Sequence, residues 1–440
     1  MNNSISIPQE SRLAKFLRNR TISHSLQINA LRAVSLSIGF VGSIWSSRCL
    51  GPDKLGISGM IIGTIAPLVL LVNLNQRAHY IRLYRGHATE EEKENLVTVI
   101  STFRIAVSVA VMLIAVPVLM LGHFSPQWYL ALFAAIPYFF LSANVADWLL
   151  QSQDNIPAIT RSLTLQAFIA TSLYVLLFRP GVPAGSDLVV QCVALTIATA
   201  YGWYAAVNHR KLRLFRWEKL REIIPILAEG RWLIANGISI YIYTSLEVPL
   251  VGWLYSLNEV GIYRTSMVLV GGVGAFIGYL PILLYPRMLE WKQVGPHFLW
   301  QNQRRVLTYF ALFTLCLSFF AFLLAPLVYH YIYGPSFARG AYPFAFLLSA
   351  KMMAVMNGIM DWGMLAQRKD RAVFYIMSYV AIFSLAANLI FIPHFGAMGA
   401  SIINLSSETL MAILFFTSNV RALKDVPMTE SEISRLKSSP

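Results

Sequence analysis

Long apolar runs separated by short polar segments fill the chain from residue 28 to residue 419. Each run is near the roughly 20 residues that an α-helix, rising about 1.5 Å per residue, needs to cross the hydrocarbon core of a bilayer. The pattern therefore predicts twelve membrane-spanning helices. They lie near residues 28–50, 57–75, 97–121, 128–150, 158–178, 187–207, 232–254, 262–285, 305–328, 340–361, 372–393 and 398–419.

The first two runs are joined by a short polar turn, GPDKLG, from Gly51 to Gly56. Glycine tolerates positive φ and proline has no amide proton, so Gly51 and Pro52 are expected to end a helix and close a helical hairpin. A similar turn containing Gly261 follows 205 residues after Gly56 and again joins two apolar runs. The repeat indicates two related halves.

The two halves and the basic segments around them divide the chain into five predicted parts. The leader and the central connection interleave Lys and Arg with apolar residues, a pattern typical of segments that lie on the membrane surface. The parts are a cytoplasmic amphipathic leader (1–27), an N-terminal six-helix lobe (28–207), a basic cytoplasmic linker (208–231), a C-terminal six-helix lobe (232–419) and a cytoplasmic tail (420–440).

Composition supports a membrane protein and explains the positive charge. The chain is 56% hydrophobic and 13% charged, with a mean hydropathy of +0.58, which is more apolar surface than a soluble core of this size hides. Of its 35 Lys and Arg residues, 26 fall in alternate connections and at the two ends. Because positive residues stay on the cytoplasmic side, both termini are predicted to be cytoplasmic. The net charge of +14 then requires no nucleic-acid partner.

Ionisable residues inside the apolar runs are the strongest functional signal, because a charge at the bilayer centre costs at least about 2.5–3.5 kcal/mol. Facing a cavity, the cations would attract an anionic substrate and the acids would bind a coupling cation such as H⁺ or Na⁺. The cations are Arg32, Arg104, Arg264 and Lys351, and the acids are Asp147, Glu247 and Glu408.

The alternative is that these charges form neutral structural pairs within one helix bundle. Their predicted depths match for Arg104 with Asp147, for Glu247 with Arg264, and for Lys351 with Glu408. Arg32 has no equally obvious partner. The direction in which the side chains point, between the two halves or into one bundle, would separate the two interpretations.

No catalytic, metal or cofactor site is indicated. Cys49, Cys192 and Cys316 lie in or beside apolar runs without paired spacing, and the histidines form no ligand cluster. No outward-facing connection exceeds about a dozen residues, a length that closes a hairpin but does not fold as a domain. The sequence therefore predicts a carrier rather than an enzyme.

Four motifs resemble those of a known family. The segment from Arg48 to Gly56 resembles the R-x-L-G-P-x-x-x-G turn after the first span of bacterial polysaccharide transporters, the O-antigen flippase (Wzx-like) branch of the multidrug/oligosaccharidyl-lipid/polysaccharide (MOP) exporter superfamily. The others, in chain order, are Val260-Gly261-Ile262-Tyr263 with Pro286-Arg287, then Tyr333-Gly334-Pro335-Ser336-Phe337, and finally NLIFIPHFGAMGASI from Asn388 to Ile402.

The resemblance implies a MATE-like, V-shaped carrier with two six-helix lobes and alternating access, in the bacterial inner membrane. Its substrate would be an undecaprenyl-pyrophosphate-linked oligosaccharide, a repeat unit of O-antigen lipopolysaccharide or exopolysaccharide, moved from the cytoplasmic to the outer leaflet. Membrane lipids, H⁺ or Na⁺ and glycan polymerase machinery are the implied partners. In similar proteins an acid stands in span 7, where this chain has Glu247. The glycine turns, Gly51, Pro52, Gly56 and Gly261, would shape a gate at the outer rim.

Other functions stay open at this point. A multidrug or metabolite exporter of the same superfamily would favour acids and aromatic residues in its cavity over arginine. A membrane-embedded glycan polymerase or ligase would be expected to carry a sizeable outer loop with catalytic residues.

Overall fold

The computed structural model describes residues 20–121, 124–207, 214–278, 280–424 and 427–428. Over these residues the chain is helical, without a β-strand. The predicted leader up to residue 19, the linker residues 208–213 and the tail from residue 429 lie outside the described residues. The predicted division into lobes is not tested by the helix assignment.

The helices are numbered here in chain order. In the first half they are α1 (Arg20–Asn73), α2 (Arg77–Gly86), α3 (Glu90–Leu121), α4 (Pro126–Ala143), α5 (Asp147–Ser152), α6 (Ile156–Leu177) and α7 (Ser186–Val207). In the second half they are α8 (Ile223–Glu229), α9 (Arg231–Thr244), α10 (Glu247–Leu254), α11 (Leu257–Ile277), α12 (Leu280–Val294), α13 (Pro296–Ile332), α14 (Ala341–Ala366) and α15 (Asp370–Lys424).

Within the described ranges, eight helices are long and apolar enough to cross a membrane, or nine if one sharply bent pair is a single span. Two of the eight, Val34–Gly86 and Arg371–Leu423, are 53 residues long, and each contains two of the predicted spans. Each is broken near its middle, at Gly51 (φ 74°) and at Gly396 (φ 54°). The architecture is therefore all-α and multi-pass, and it is consistent with the twelve predicted spans.

Both breaks follow from local chemistry. A φ in the left-handed region is available to glycine at little cost because glycine has no Cβ. Gly51 precedes Pro52, which lacks the amide proton needed to continue the first helix of α1. The predicted end of a helix is confirmed at Gly51, but the predicted turn over residues 51–56 is reduced to a kink, because the second helical segment starts at once.

Side-chain caps begin helices α3 and α11. Before α3, the Thr89 backbone N–H donates to Glu92 Oε2 at 3.2 Å and the Glu92 N–H donates to Thr89 Oγ1 at 3.3 Å. This reciprocal pair is a capping box. Ser256 likewise accepts from the Glu259 N–H at 3.3 Å and begins α11.

A large apolar cluster joins the two halves of the chain. It contains Leu50, Leu55 and Tyr174 from the first half, and Val260 and Tyr263 from the second. Of three smaller clusters, one has its buried residues within the first half, one lies within the second, and one joins the first half to Ile223 of α8. The halves are thus packed most extensively on one another around the Gly51 kink and the start of α11.

Candidate functional site

Three cavities contain the predicted charged residues that the structure describes. The first, about 590 Å³, is lined by residues of both halves and includes Arg264. The second, about 340 Å³, lies within the second half and includes Glu247, Lys351 and Glu408. The third, about 390 Å³, includes Arg104 and Asp147. Arg32 belongs to α1, but its side chain lies outside the described part.

Arg264 is the predicted cation that faces a cavity between the halves. Its Nη1 donates to Asp187 Oδ2 at 3.1 Å and to the Leu55 carbonyl at 3.4 Å. The Arg264 side chain is 23% exposed, whereas that of Asp187 is 2% exposed. The predicted pairing of Arg264 with Glu247 is therefore wrong, because the acid that pairs with Arg264 comes from α7 of the first half.

Arg104 has a different environment: only 4% of its surface is exposed, and the cavity of about 390 Å³ beside it is lined by residues of both halves. Its guanidinium donates to the carbonyl of Ala143 and, at 3.2 Å, to the carbonyl of Val145. These are carbonyls at the end of α4, where the helix leaves its last acceptors without intrahelical partners. Arg104 thus caps the break between α4 and α5. Asp147 lines the same cavity but is not the hydrogen-bond partner that the sequence suggested.

Glu247 lies at the start of α10, and its carboxylate is 1% exposed. It accepts hydrogen bonds from the Tyr263 hydroxyl and from Asn404 Nδ2, at 3.0 Å to Oε1 and 3.1 Å to Oε2. An ionised carboxylate is stable in such a place only when several donors surround it. Three separate helices, α10, α11 and α15, meet at this one acid.

Glu408 is the second buried acid of the same cavity. It accepts from Asn357 Nδ2 at 2.7 Å. Lys351 lines the same cavity and is exposed there, but it is not within ion-pair distance of Glu408 among the described contacts. The suggested Lys351–Glu408 salt bridge is therefore wrong, although the two residues do share a cavity. Lys351 therefore lines the cavity of the two acids and not the cavity of Arg264.

The predicted gate glycines of the two turns pack directly against each other. A Cβ on Gly56 would overlap the carbonyl oxygen of Leu257, and a Cβ on Gly261 would overlap the carbonyl oxygen of Pro52. Beside them, Asn258 Nδ2 donates to Asp53 Oδ1 at 3.0 Å. We call this the Gly56–Gly261 contact. Only glycine permits so close an approach of two backbones.

The opposite end of the second α1 segment makes another contact between the halves. Gln76 Nε2 donates to the Gly230 carbonyl at 2.7 Å, and Asn75 Nδ2 donates to the Leu233 carbonyl at 3.0 Å. We call this the Gln76–Gly230 contact. It lies about 30 Å from the Gly56–Gly261 contact along a helix of 1.5 Å rise per residue.

The chain reaches this contact through backbone that is unusual for its residues. Leu74 and Asn75 have φ values of 48° and 56°. Asn adopts this left-handed region more readily than other residues with a side chain, while leucine rarely does. The turn aims the Asn75 amide at the second half.

Two buried acids were missed by the sequence interpretation. Asp187 was placed at the edge of a span, and Glu259 in a polar turn. Glu259 forms an ion pair with Arg339 at 2.9 Å and accepts from the Ala397 N–H at 3.0 Å, so it holds the Gly396 kink beside α11. Their positions in the first turn of a helix were the available signal, since the helix dipole favours an acid there.

These features match a known family. A family model described as "Polysaccharide biosynthesis protein" matches residues 30–291. The chain belongs to this family. The predicted resemblance is thereby confirmed at the level of the family, and the match spans the Gly51 kink, Asp187, Glu247 and Arg264. Among curated proteins, no sequence matches the chain significantly.

Solved structures share the fold at low identity. One is an inward-facing multidrug resistance MATE family transporter of the MOP superfamily, with 13% identity, 90% of this chain and 96% of that chain covered, and a TM-score of 0.63. Another is the lipid II flippase MurJ in an inward closed conformation, with 11% identity, 92% and 88% covered, and a TM-score of 0.68. An outward-facing MATE transporter matches at 14% identity over 97% and 99% with a TM-score of 0.58.

The family model is described by polysaccharide biosynthesis, and the solved structures that share the fold are described as multidrug transporters and a lipid II flippase. The predicted fold class, an all-α integral membrane protein with a MATE-like arrangement, is confirmed. The chain is a multi-pass membrane protein of polysaccharide biosynthesis.

Proposed function

We propose that this protein is a flippase that moves an undecaprenyl-pyrophosphate-linked oligosaccharide from the cytoplasmic to the outer leaflet of the bacterial inner membrane. Both chain termini would be cytoplasmic, and the helices of residues 28–207 and 232–419 would form the two lobes. The supporting observation is the position of Arg264, which lines the cavity of about 590 Å³ between the two halves and keeps 23% of its side chain exposed.

Pyrophosphate is the part of such a substrate that cannot cross hydrocarbon alone, because removing its charge from water is costly. A guanidinium binds phosphate oxygens through a planar set of donors and stays charged when partly buried. Arg264 supplies that group in the 590 Å³ cavity. Arg32, with its side chain outside the described part, is proposed as a second cation of the route.

The buried acids of the second half are proposed to couple transport to an ion gradient. Glu247 and Glu408 share a cavity with Lys351, and the cavity is separate from that of Arg264 except at Gly271, which lines both. A proton or Na⁺ bound there would change the charge of the wall next to the substrate cavity. Asp147 is the weaker candidate, since it lines a different cavity, the one that contains Arg104.

A multidrug exporter is the second candidate, and the two buried acids of the second half are the observation that favours it. Cationic drugs would bind Glu247 and Glu408 and would avoid Arg264. Uptake of a cationic dye into inverted vesicles, abolished by Glu247→Gln and unaffected by Arg264→Gln, would support this exporter.

Depletion of the protein tests the proposed function. We expect lipid-linked repeat units to accumulate in the cytoplasmic leaflet, and their glycan will identify the substrate. Complementation with Arg264→Gln should leave the accumulation in place, while Arg82→Gln should abolish it. Arg82 is a suitable control because it is exposed on α2, outside the three cavities. Unchanged glycan export after depletion would refute the proposal.

A further inference from the structure

Asp187 is a buried acid whose partners come from both halves of the chain. It lies in the first turn of α7, and its Oδ1 accepts from Ser58 Oγ at 2.5 Å while its Oδ2 accepts from Arg264 at 3.1 Å. Removing Arg264 would leave a buried carboxylate without a counter-charge, which proteins avoid. Asp187 therefore holds Arg264 of the second half against the first half.

The ion pair lies one helical turn from the Gly56–Gly261 contact. Arg264 follows Gly261 by three residues on α11, and three to four residues separate neighbours on one helix face. Arg264 also donates to the carbonyl of Leu55, the residue before Gly56. The close backbone contact and the Arg264–Asp187 pair thus form one unit at the end of the large cavity.

Only part of the Arg264 guanidinium is used by this unit. Nη1 makes both of the recorded hydrogen bonds, and Nε and Nη2 have no partner within the described residues. The side chain is 23% exposed and lines the 590 Å³ cavity together with Ser43, Thr171 and Gln191. An anion in this cavity can therefore reach Arg264 while Asp187 still holds it.

We propose that Asp187 is an electrostatic latch that keeps the Gly56–Gly261 contact closed until an anion takes Arg264 from it. A phosphate group on the free edge of the guanidinium brings negative charge close to the Asp187 carboxylate, and like charges at such distances repel strongly in a low-dielectric interior. The anion weakens the pair that joins the halves. The Gly56–Gly261 contact then opens only after an anionic substrate has bound in the cavity.

The latch makes Asp187 a positioning residue that determines specificity for charge. A neutral ligand in the same cavity leaves the Arg264–Asp187 pair intact, and the contact stays closed. The inference rests on the proposed function for the identity of the natural anion, a lipid pyrophosphate. For this protein, the latch requires only that an anion of the phosphate class competes with Asp187 for Arg264.

A cross-linking experiment tests the latch directly. Cys49, Cys192 and Cys316 are replaced by serine, and cysteines are introduced as Asp53→Cys and Asn258→Cys at the Gly56–Gly261 contact. The purified full-length protein is treated with a short thiol cross-linker, with and without inorganic pyrophosphate. Without pyrophosphate we expect a high yield of cross-linked protein. Pyrophosphate should lower that yield several-fold, whereas sodium chloride at the same ionic strength should not.

Variants at the pair supply the matched comparison. Asp187→Asn should give a low yield before any pyrophosphate is added, and Asp187→Glu, which keeps the charge, should restore both the yield and the response. If Asp187→Asn is not recovered in folded form, Arg264→Gln provides the same test, with a low yield and no response. If pyrophosphate leaves the cross-linking yield between positions 53 and 258 unchanged while Arg264 and Asp187 are intact, the latch proposal is wrong.

The Gln76–Gly230 contact is the control for general loosening. Cysteines introduced as Asn75→Cys and Leu233→Cys should give the same cross-linking yield in the Asp187→Asn variant as in the protein that keeps Asp187. An equal loss at both contacts would mean that Asp187 only stabilises the fold, and the latch would be overturned. Because the probe is a soluble anion, these outcomes are independent of whether depletion traps lipid-linked glycans.

Discussion

Arg264 and Arg104 are both arginines inside predicted membrane spans, yet they serve different purposes. Arg104 is 4% exposed and donates to two backbone carbonyls at the end of α4. Arg264 makes its recorded hydrogen bonds through one nitrogen, and its side chain remains 23% exposed to a cavity between the halves. An intramembrane charge is therefore informative about transport only when its donors remain available to a ligand.

The same distinction separates the acids. Asp187 and Glu259 join separate segments of the chain, and Glu247 and Glu408 line a cavity. Burial alone does not distinguish these groups, since all four are among the most buried charged residues of the described chain. Their surroundings distinguish them, because the cavity beside Glu247 and Glu408 leaves room for an ion and the packed helix contacts of Asp187 and Glu259 do not.

The largest effect is expected from closing the space that the Gly56–Gly261 contact needs. In Gly261→Ala the new Cβ would overlap the carbonyl of Pro52, so the halves cannot approach and transport should be abolished. Gly86→Ala is the control, because a Cβ there would meet open space. Glycan export by a depleted strain expressing each variant measures the effect. Normal export by Gly261→Ala would show that this contact is not part of the transport cycle.

The second largest effect is expected for Arg264→Gln, which tests whether Arg264 binds the substrate in the cavity. Loss of hydrogen bonds to a charged group costs about 1.5–3 kcal/mol, equivalent to a decrease of about 10- to 100-fold in binding. We expect the apparent affinity of the folded protein for the lipid-linked substrate to fall by that factor. Quantitative transport at varied substrate density measures it. A normal affinity would remove Arg264 from the binding site.

Arg104→Met tests the structural side. It removes the donors to Ala143 and Val145, and leaving buried carbonyls without partners costs about 1–3 kcal/mol of unfolding free energy. We expect a lower melting temperature and less protein in the membrane, with transport per folded molecule unchanged. Reduced transport per molecule at normal stability would instead place Arg104 on the substrate route.

Tyr263→Phe should have the smallest effect. It deletes the hydroxyl donor to Glu247 but leaves the donor Asn404 in place, so we expect a modest change in the ion dependence of transport. Tyr309→Phe serves as the control, since Tyr309 is exposed on α13. Identical ion dependence in the two variants would argue against a coupling role for the Glu247 cavity.

Much of the fold could be predicted from the sequence because the signals are local. Apolar length predicts helices, and Gly51-Pro52 predicts the kink that the structure shows. The partners of the charges were not predictable in the same way. Arg264 pairs with an acid 77 positions away on another helix, and Arg104 pairs with carbonyls that any residue would provide.

Similarly, the two turns could be recognised as a repeat, but their direct contact could not. Sequence similarity between Gly56 and Gly261 says that they are equivalent positions. It does not say that each lies against backbone of the other turn. That fact depends on how α1 and α11 pack, which is a property of the tertiary structure.

The most direct test of the account is transport by purified protein in liposomes that contain an undecaprenyl-pyrophosphate-linked oligosaccharide. A glycan-modifying reagent that does not cross the membrane reports the fraction of substrate on the outer surface over time. The account predicts rapid exchange for the unaltered protein, exchange at least about tenfold slower for Arg264→Gln, and near-normal exchange per folded molecule for Arg104→Met. Equal rates for the unaltered protein and Arg264→Gln, or for the unaltered protein and empty liposomes, would contradict it.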